Sequence, residues 1–251
     1  MRSRTSSTSW ENVEGWYSSC VGKEGHYYHQ TLILPGALRL IQKPSSVLDL
    51  GCGEGIFART LPPEVLYTGI DASPSLIQAA KKKTHHPHAQ FLVGDVTKEL
   101  PLEKKDFDCA VFILSLQNME HPELAIANVR KHLKKGGQLL LVLNHPCFRI
   151  PRQSDWGIDE ANKLQYRRIN RYLSPLKIPI QMNPGTKGPS HETVSFHHAL
   201  SDYARFLAQN GFVITGLEEW CSDKKSEGAR AKMEDRARKE FPLFLTILAK
   251  T

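Results

Sequence analysis

Apolar residues in the middle of this chain come in short runs, with longer mixed segments between them. Val47-Leu48-Asp49-Leu50 is the first run, Thr68-Gly69-Ile70-Asp71 the second and Gln90 to Val96 the third. Asp106 to Leu114 is a fourth, apolar as a strand buried on both faces should be. Gly136-Gly137 is a turn feeding a fifth that ends at Asn144. Between them, Ser75 to Lys83 and Pro122 to Leu133 read as helices. Alternation of this kind predicts an α/β fold with a parallel sheet and ligands at the carboxyl ends of its strands. Later, Ser201 to Gly211 predicts a helix capped by Ser201 and stopped by Gly211. Phe212 to Glu219 and Pro242 to Ala249 predict two more strands, and Ser222 to Lys239 a charged surface helix.

From His145 to His198 the pattern fades, and Pro146, Pro151, Pro175, Pro179, Pro184, Gly185, Gly188 and Pro189 accumulate. About 50 residues without strong periodicity inside a compact domain are usually a lid or a binding element. The segment leaves the sheet at the carboxyl end of the fifth strand, so it is expected to cover whatever binds there.

The chemistry begins where the first strand breaks. Glycines 51, 53 and 55 give G-x-G-x-G, a turn that tolerates positive φ and lets a ligand approach the backbone. A dinucleotide fingerprint needs its third glycine one residue later, and here position 56 is Ile. Asp49 and Glu54 disfavour a pyrophosphate and suit a ligand carrying an ammonium or a sulfonium. No Gly-Lys-Ser/Thr follows, which excludes a P-loop. Asp71 lies roughly 20 residues past the glycine turn, where a ribose-binding acid is expected.

D-L-G-C-G-x-G at 49–55, G-I-D-x-S at 69–73, G-D at 94–95 and F-D at 107–108 follow in the order and spacing of a known family. The segment from Val47 to Asn144 resembles the class I S-adenosylmethionine-dependent methyltransferases, in spelling nearest their small-molecule, quinone-type branch. The resemblance implies a Rossmann-like seven-stranded sheet, its last strand antiparallel, with a cap inserted after the fifth strand. It implies a tail and cofactor-covering helices over 1–46, a methyltransferase domain over 47–251 and a cap over 145–200. By the same resemblance Asp49, Gly51, Cys52 and Gly53 surround the methionine moiety of S-adenosyl-L-methionine. Asp71 would bind the ribose hydroxyls with Ala72 beside the adenine. Asp95 would accept from the adenine amine, and the Val96 amide would face a ring nitrogen. Leu114 and Ser115 would border the methionine end. The family often closes an N-terminal helix over the cofactor, which makes Tyr28 and His29 candidates for the same end.

Charge adds a second question. Against 26 acidic residues stand 33 basic ones, a formal net charge of +7 over 251 residues. Lys81-Lys82-Lys83 and Lys131, Lys134 and Lys135 sit at helix ends, where cations complement the dipole. More pointed is the group Arg149, Arg152, Arg167, Arg168 and Arg171, interleaved with Phe148, Trp156, Tyr166 and Tyr172. Aromatics with arginine stack nucleobases or line a pocket for an acidic aromatic molecule. Without a separate RNA-binding motif the pocket is preferred, with Arg149, Trp156, Arg168 and Tyr172 as substrate residues.

Five cysteines, scattered and never C-x-x-C, point to reduced thiols and a cytoplasmic home. No apolar run reaches the ~20 residues of a membrane span, and the Ser/Thr-rich start lacks a secretory core. His85-His86-Pro87-His88 reads as a solvated turn rather than a metal site. Asn144-His145-Pro146 superficially matches the Asn-Pro-Pro-Tyr signature of amino-group methyltransferases, but it follows the fifth strand instead of the fourth.

A base near neutrality helps methyl transfer to a hydroxyl or an acidic carbon, and histidine is the usual one. His197 and then His145 are the candidates, from a set that includes His191 and His198. The expected function is methyl transfer to a small molecule, anionic or aromatic. The alternatives are an RNA or protein methyltransferase and a non-catalytic S-adenosylmethionine-binding module. No metal is expected, and oligomeric state is not legible.

Overall fold

The computed structural model describes residues 9–11, 25–181 and 192–251. The tail before residue 9, Cys20, Pro184, Gly185, Gly188, Pro189 and His191 lie outside them. A π-helical turn at His29–Ile33 runs into α1 (Leu34–Leu40), and β1 (Ser46–Leu50) follows. Then come β2 (Leu66–Asp71), α2 (Pro74–Lys83), β3 (Ala89–Val93), β4 (Phe107–Ile113), α3 (Pro122–His132) and β5 (Leu133–Asn144). Four shorter strands succeed them: β6 (Ser154–Asp159), β7 (Leu164–Ile169), β8 (Leu176–Gln181) and β9 (Glu192–His197). The chain closes with α4 (Leu200–Gln209), β10 (Val213–Trp220), α5 (Ala231–Glu240) and β11 (Phe244–Lys250).

Seven strands form one sheet in the order β10-β11-β5-β4-β1-β2-β3. Neighbours from β3 to β5 pair in parallel, and β11 lies antiparallel between β5 and β10. This is the Rossmann-like methyltransferase sheet that the motifs imply. The continuous run Leu139 to Leu143 shows how it is held: all five residues are 0% exposed. Successive side chains on a strand point to opposite faces. Leu139, Leu141 and Leu143 pack with Ile126 and Val129 of α3 and with Phe206 and Leu207 of α4. Leu140 and Val142 pack on the other face with Ile33, Ala37 and Trp220. Covering both faces forces the carboxyl edge of the sheet to be the open side.

The helix starts follow local chemistry. Pro74 opens α2 behind Ser73, whose hydroxyl accepts the Leu76 N–H at 3.2 Å, and Pro122 opens α3. α4 begins earlier than expected: the capping position is Ala199, two residues before Ser201, and Asp202 reaches back to the Ala199 N–H at 3.1 Å. β5 begins at Leu133, with Gly136 at φ +74° inside it, so the expected glycine turn is an irregularity within the strand. The charged segment after β10 is helical only from Ala231.

The expectation of an irregular cap is corrected. Residues 154–197 carry two antiparallel hairpins, β6 with β7 and β8 with β9. Two-stranded ribbons need only a short alternation and tolerate proline, and Pro179 lies within β8. Proline and glycine density hid them. The first hairpin packs toward α5, with Arg230 and Arg236 reaching Glu160 and the Lys163 carbonyl. The second lies against the turn after β4, where Ser195 Oγ meets the Gln117 carbonyl at 3.5 Å.

Leu141 is enclosed on the crowded face of β5, so Leu141→Ala is expected to cost about 2–5 kcal/mol of stability. Equilibrium urea unfolding checks it, and a loss under ~1 kcal/mol contradicts this placement of the core.

Candidate active site

Where β1 ends, the chain turns through Gly51, Gly53 and Gly55 at φ +72°, +53° and +71°. Only glycine takes three such values at little cost. The Gly51 and Cys52 N–H groups donate to the Ile70 carbonyl at 2.7 and 3.1 Å. A Cβ on Gly51 would stand 2.5 Å from the Ser115 Cβ, so the turns after β1 and β4 meet at van der Waals contact. Ser115 Oγ fastens them by donating to the Leu50 carbonyl at 2.6 Å. Leu114, between β4 and Ser115, holds φ +54°, a strained value for a leucine.

Asp71 sits at the centre of this edge. Its Oδ2 accepts the Gly53 N–H and its Oδ1 the Ser73 N–H, each at 2.9 Å. Burial pushes its pKa up, the two N–H bonds oppose that, and Glu11 adds like charge. Glu11 was not foreseen as a site residue. It accepts from Ser73 Oγ at 2.5 Å at the start of α2, bringing a second carboxylate beside Asp71. No pattern in the sequence links positions 62 apart.

Asp49 faces inward. It is 2% exposed and accepts the Tyr67 hydroxyl at 2.5 Å. Burial pushes its pKa up to about 7 against the pull of that hydrogen bond. Cys52 is buried with its sulfur against Gly69, and its backbone N–H belongs to the turn. Ala72 follows Asp71 directly, and Val96 is buried with its carbonyl taken by Asn128 Nδ2 at 3.0 Å. Asp95 folds onto its own loop, accepting the Thr97 N–H and hydroxyl at 3.0 and 2.6 Å and pairing with exposed Lys98 at 3.1 Å.

His29 lies beside this turn, since a Cβ on Gly25 would touch both His29 and Ile56. Burial drives its pKa down to about 4, so the ring is neutral, and its Nδ1 is buried without a partner among the described residues. Gln117 Oε1 is likewise buried and unpartnered, while its Nε2 donates to the Leu114 carbonyl at 3.0 Å. Tyr28 points elsewhere, sharing a 2.8 Å hydrogen bond with Ser222 and meeting Phe244 edge-on.

It lines a cavity of about 280 Å³ with Phe148, Arg149, Trp156, Arg167 and Phe241. Two of the expected substrate residues, Arg149 and Trp156, are therefore brought together. Arg168 and Tyr172 are not. Arg168 is exposed on the far face of β7, because neighbours on a strand point apart, and Arg167 takes the inner place. Tyr172 lies in the turn between the two hairpins, where its hydroxyl accepts the N–H of Leu200 in α4 at 3.1 Å.

The histidines separate as well. His145 is corrected as a candidate base. Its Nδ1 accepts the Cys147 N–H at 3.1 Å and its Nε2 donates to Glu219 at 2.8 Å, leaving no lone pair for a substrate. His197 Nε2 donates to the Tyr172 carbonyl at 2.7 Å, which leaves Nδ1 as the basic nitrogen of a ring kept neutral by burial. His86 is tied to the Pro62 carbonyl and the His88 N–H within its turn.

A methyltransferase domain model matches residues 48–141, the segment holding the glycine turn, Asp71 and Leu114. The crystal structure of an S-adenosylmethionine-dependent methyltransferase from Mesorhizobium loti is 25% identical and superposes over 86% of this chain and 96% of that one, with a TM-score of 0.65. Residues 48–141 are a methyltransferase domain of the S-adenosylmethionine-dependent kind. Outside solved structures, a malonyl-[acyl-carrier protein] O-methyltransferase of Halalkalibacterium halodurans is 30% identical over 49% of this chain and 51% of that protein. A demethylmenaquinone methyltransferase of Tropheryma whipplei is 28% identical over 67% of this chain and 66% of its own length. The first curated relatives are matched over only 34% to 59% of their length.

The residues of the methyltransferase domain fit its cofactor. Asp71 has lone pairs beyond its two backbone bonds for ribose hydroxyls, and the buried acceptor of Gln117 suits an ammonium. Among the described residues, no helix is long and apolar enough to cross a membrane.

Asp49 generates a pH prediction. A carboxyl raised from about 4 to about 7 keeps its proton when folded and loses it when unfolded across that window. Its contribution to stability therefore falls as pH rises from 4 to 7 and is flat above. Asp49→Asn is expected to gain melting temperature relative to the parent at pH 8 and to lose that advantage at pH 5. Scanning calorimetry at the two pH values checks it; an equal gap at both contradicts the buried carboxyl.

Proposed function

We propose that this chain transfers the methyl group of S-adenosylmethionine to a small-molecule acceptor of anionic or aromatic character. The observation that carries the proposal is the joint at the carboxyl edge, where Asp71 binds the glycine turn and the start of α2 at once. When bound, the cofactor supplies an electrophilic methyl on a sulfonium, which passes in line to an acceptor nucleophile. The protein's part is to hold and to align, and alignment alone supplies much of the acceleration.

Asp71 would take the ribose hydroxyls through its remaining lone pairs, and Ala72 would flank the adenine. Asp95 Oδ2, now paired with exposed Lys98, would accept from the adenine amine, and the Val96 N–H would face a ring nitrogen. Gly51, Gly53, His29 and Gln117 would surround the amino-acid end, with the buried carboxyl of Asp49 beneath them. Leu114 and Ser115 would border the methyl. His197 is the proposed proton acceptor, since its tautomer presents Nδ1 as a base and its hairpin covers the turn after β4. Small-molecule and carrier-bound acceptors in the names of the relatives support this class.

Asp71→Ala is expected to weaken binding of S-adenosylmethionine by about 1–3 kcal/mol, the scale of lost charged hydrogen bonds. Titration calorimetry on the folded variant checks it, and unchanged affinity overturns the assignment. Metabolite extracts incubated with a labelled methyl donor would then give the acceptor. Absence of any labelled product across such extracts would favour a binding module without turnover.

A further inference from the structure

The cavity between β7, α5 and the end of β5 has a charge arrangement the transfer reaction does not explain. Arg149 and Arg167 both line it, and each stands over an aromatic ring: Arg149 over Phe244 at 5.3 Å, Arg167 over Trp156 at 5.0 Å. Among the described residues, the Arg149 side chain gives one hydrogen bond, to Asn144 Oδ1 at 2.8 Å. Arg167 gives two, to the Phe148 carbonyl at 2.8 Å and to Ser154 Oγ at 3.0 Å. A guanidinium carries more donors than these, and all three acceptors are neutral. Burial and repulsion from Arg167 both work against protonation of Arg149, with Tyr28 opposing them weakly. Among the described residues, exposed Asp155 favours the charge on Arg167.

Two desolvated like charges in one cavity are costly unless something compensates them. Phe148, Trp156 and Phe241 make the walls apolar, with Trp156 and Phe241 set edge to face at 5.4 Å. We infer that this cavity binds the acceptor by an anionic group, a carboxylate or a phosphate ester, held between Arg149 and Arg167 while its planar body lies against Phe148, Trp156 and Phe241. This rests on the proposed function and narrows its substrate class. Position agrees. Leu114 donates its N–H to Val142 of β5, and Asn144, which holds Arg149, is two residues further along the same strand. One strand spacing and two residues of rise amount to roughly 8 Å. A molecule of one or two rings spans that from its anion to its methyl-accepting end.

The test uses the full chain saturated with S-adenosylhomocysteine and titrated with 2-naphthoate, 1-naphthyl phosphate and neutral 2-naphthol. The anions are expected to bind at least about tenfold tighter than the naphthol. Whichever anion leads assigns carboxylate or phosphate. Arg149→Met and Arg167→Met are expected to remove that preference, and Arg168→Met, on the opposite face of β7, to keep it. Binding of S-adenosylhomocysteine reports that each variant is folded; should Arg149→Met fail there, the Arg167 and Arg168 pair decides. Equal affinity for naphthol, or an effect of Arg168→Met as large as that of Arg167→Met, overturns the inference. A 20-nucleotide RNA that displaces naphthoate and depends on Arg168 overturns it in favour of nucleic acid. If S-adenosylhomocysteine binds but no anion does, the inference fails and the proposed function stands. If S-adenosylhomocysteine does not bind the parent chain, the proposed function fails, and the anion preference is still read directly.

Discussion

Asp71 joins three pieces of chain that would otherwise meet only along the sheet. Its two oxygens take backbone N–H groups from the glycine turn after β1 and from the start of α2, and it is itself the last residue of β2. Burial pushes the pKa of this carboxyl up, and the two backbone N–H groups pull against that shift. The turn would have little reason to hold three positive φ values without that anchor. Ser115 then ties the turn after β4 to the end of β1. Two side chains therefore set the positions of the loops between which the methyl donor would lie. The sheet below serves them by close packing: its central strands are sealed on both faces, so the loops stand on a well-packed base.

The central half of the molecule was legible because its signals are local. Alternation of apolar runs with helices, glycine spacing and a carboxylate at the end of a strand all lie within a few residues of each other. The cap was misread for the opposite reason. A hairpin such as β8 with β9 is specified by a pairing between segments, Ile178 with Ser195 for example, and no single window shows it. The choice between Arg167 and Arg168 turns on a one-residue register, which reverses every side chain of a strand. His145 misled because its position directly after β5 fitted a catalytic residue, while its true partner, Glu219, lies on β10. Glu11 had no signal at all.

The histidines show how hydrogen bonding, more than location, sorts candidates for proton transfer. His145 has both nitrogens spoken for and works as a staple between the exit of β5 and β10. His29 is so desolvated that its pKa falls to about 4, which makes it a neutral wall beside the glycine turn. His197 keeps one nitrogen uncommitted because a backbone carbonyl fixes the other. The fixing partner comes from Tyr172, whose hydroxyl also braces the start of α4. One tyrosine thus sets both the tautomer of His197 and the seat of the helix that follows the hairpin.

Charge is divided along the carboxyl edge of the sheet. Toward β1 and β2 stand Asp71 and Glu11, a setting that favours a cationic ligand. Toward β5 and β11 stand Arg149 and Arg167 in aromatic walls, a setting that favours an anion. Charge of opposite sign at two places on one molecule would steer two unlike ligands to different places and discourage either from occupying the other's. The turn bearing Leu114 and Ser115 lies between them, where reacting groups brought from the two sides would meet. The two hairpins follow from the same division. One brings Arg167 and Trp156 to the anionic side, and the other covers the turn after β4 and presents His197. A single loop cannot fix both sets of side chains at once, whereas two short ribbons, each held by its own ladder of backbone hydrogen bonds, place them independently.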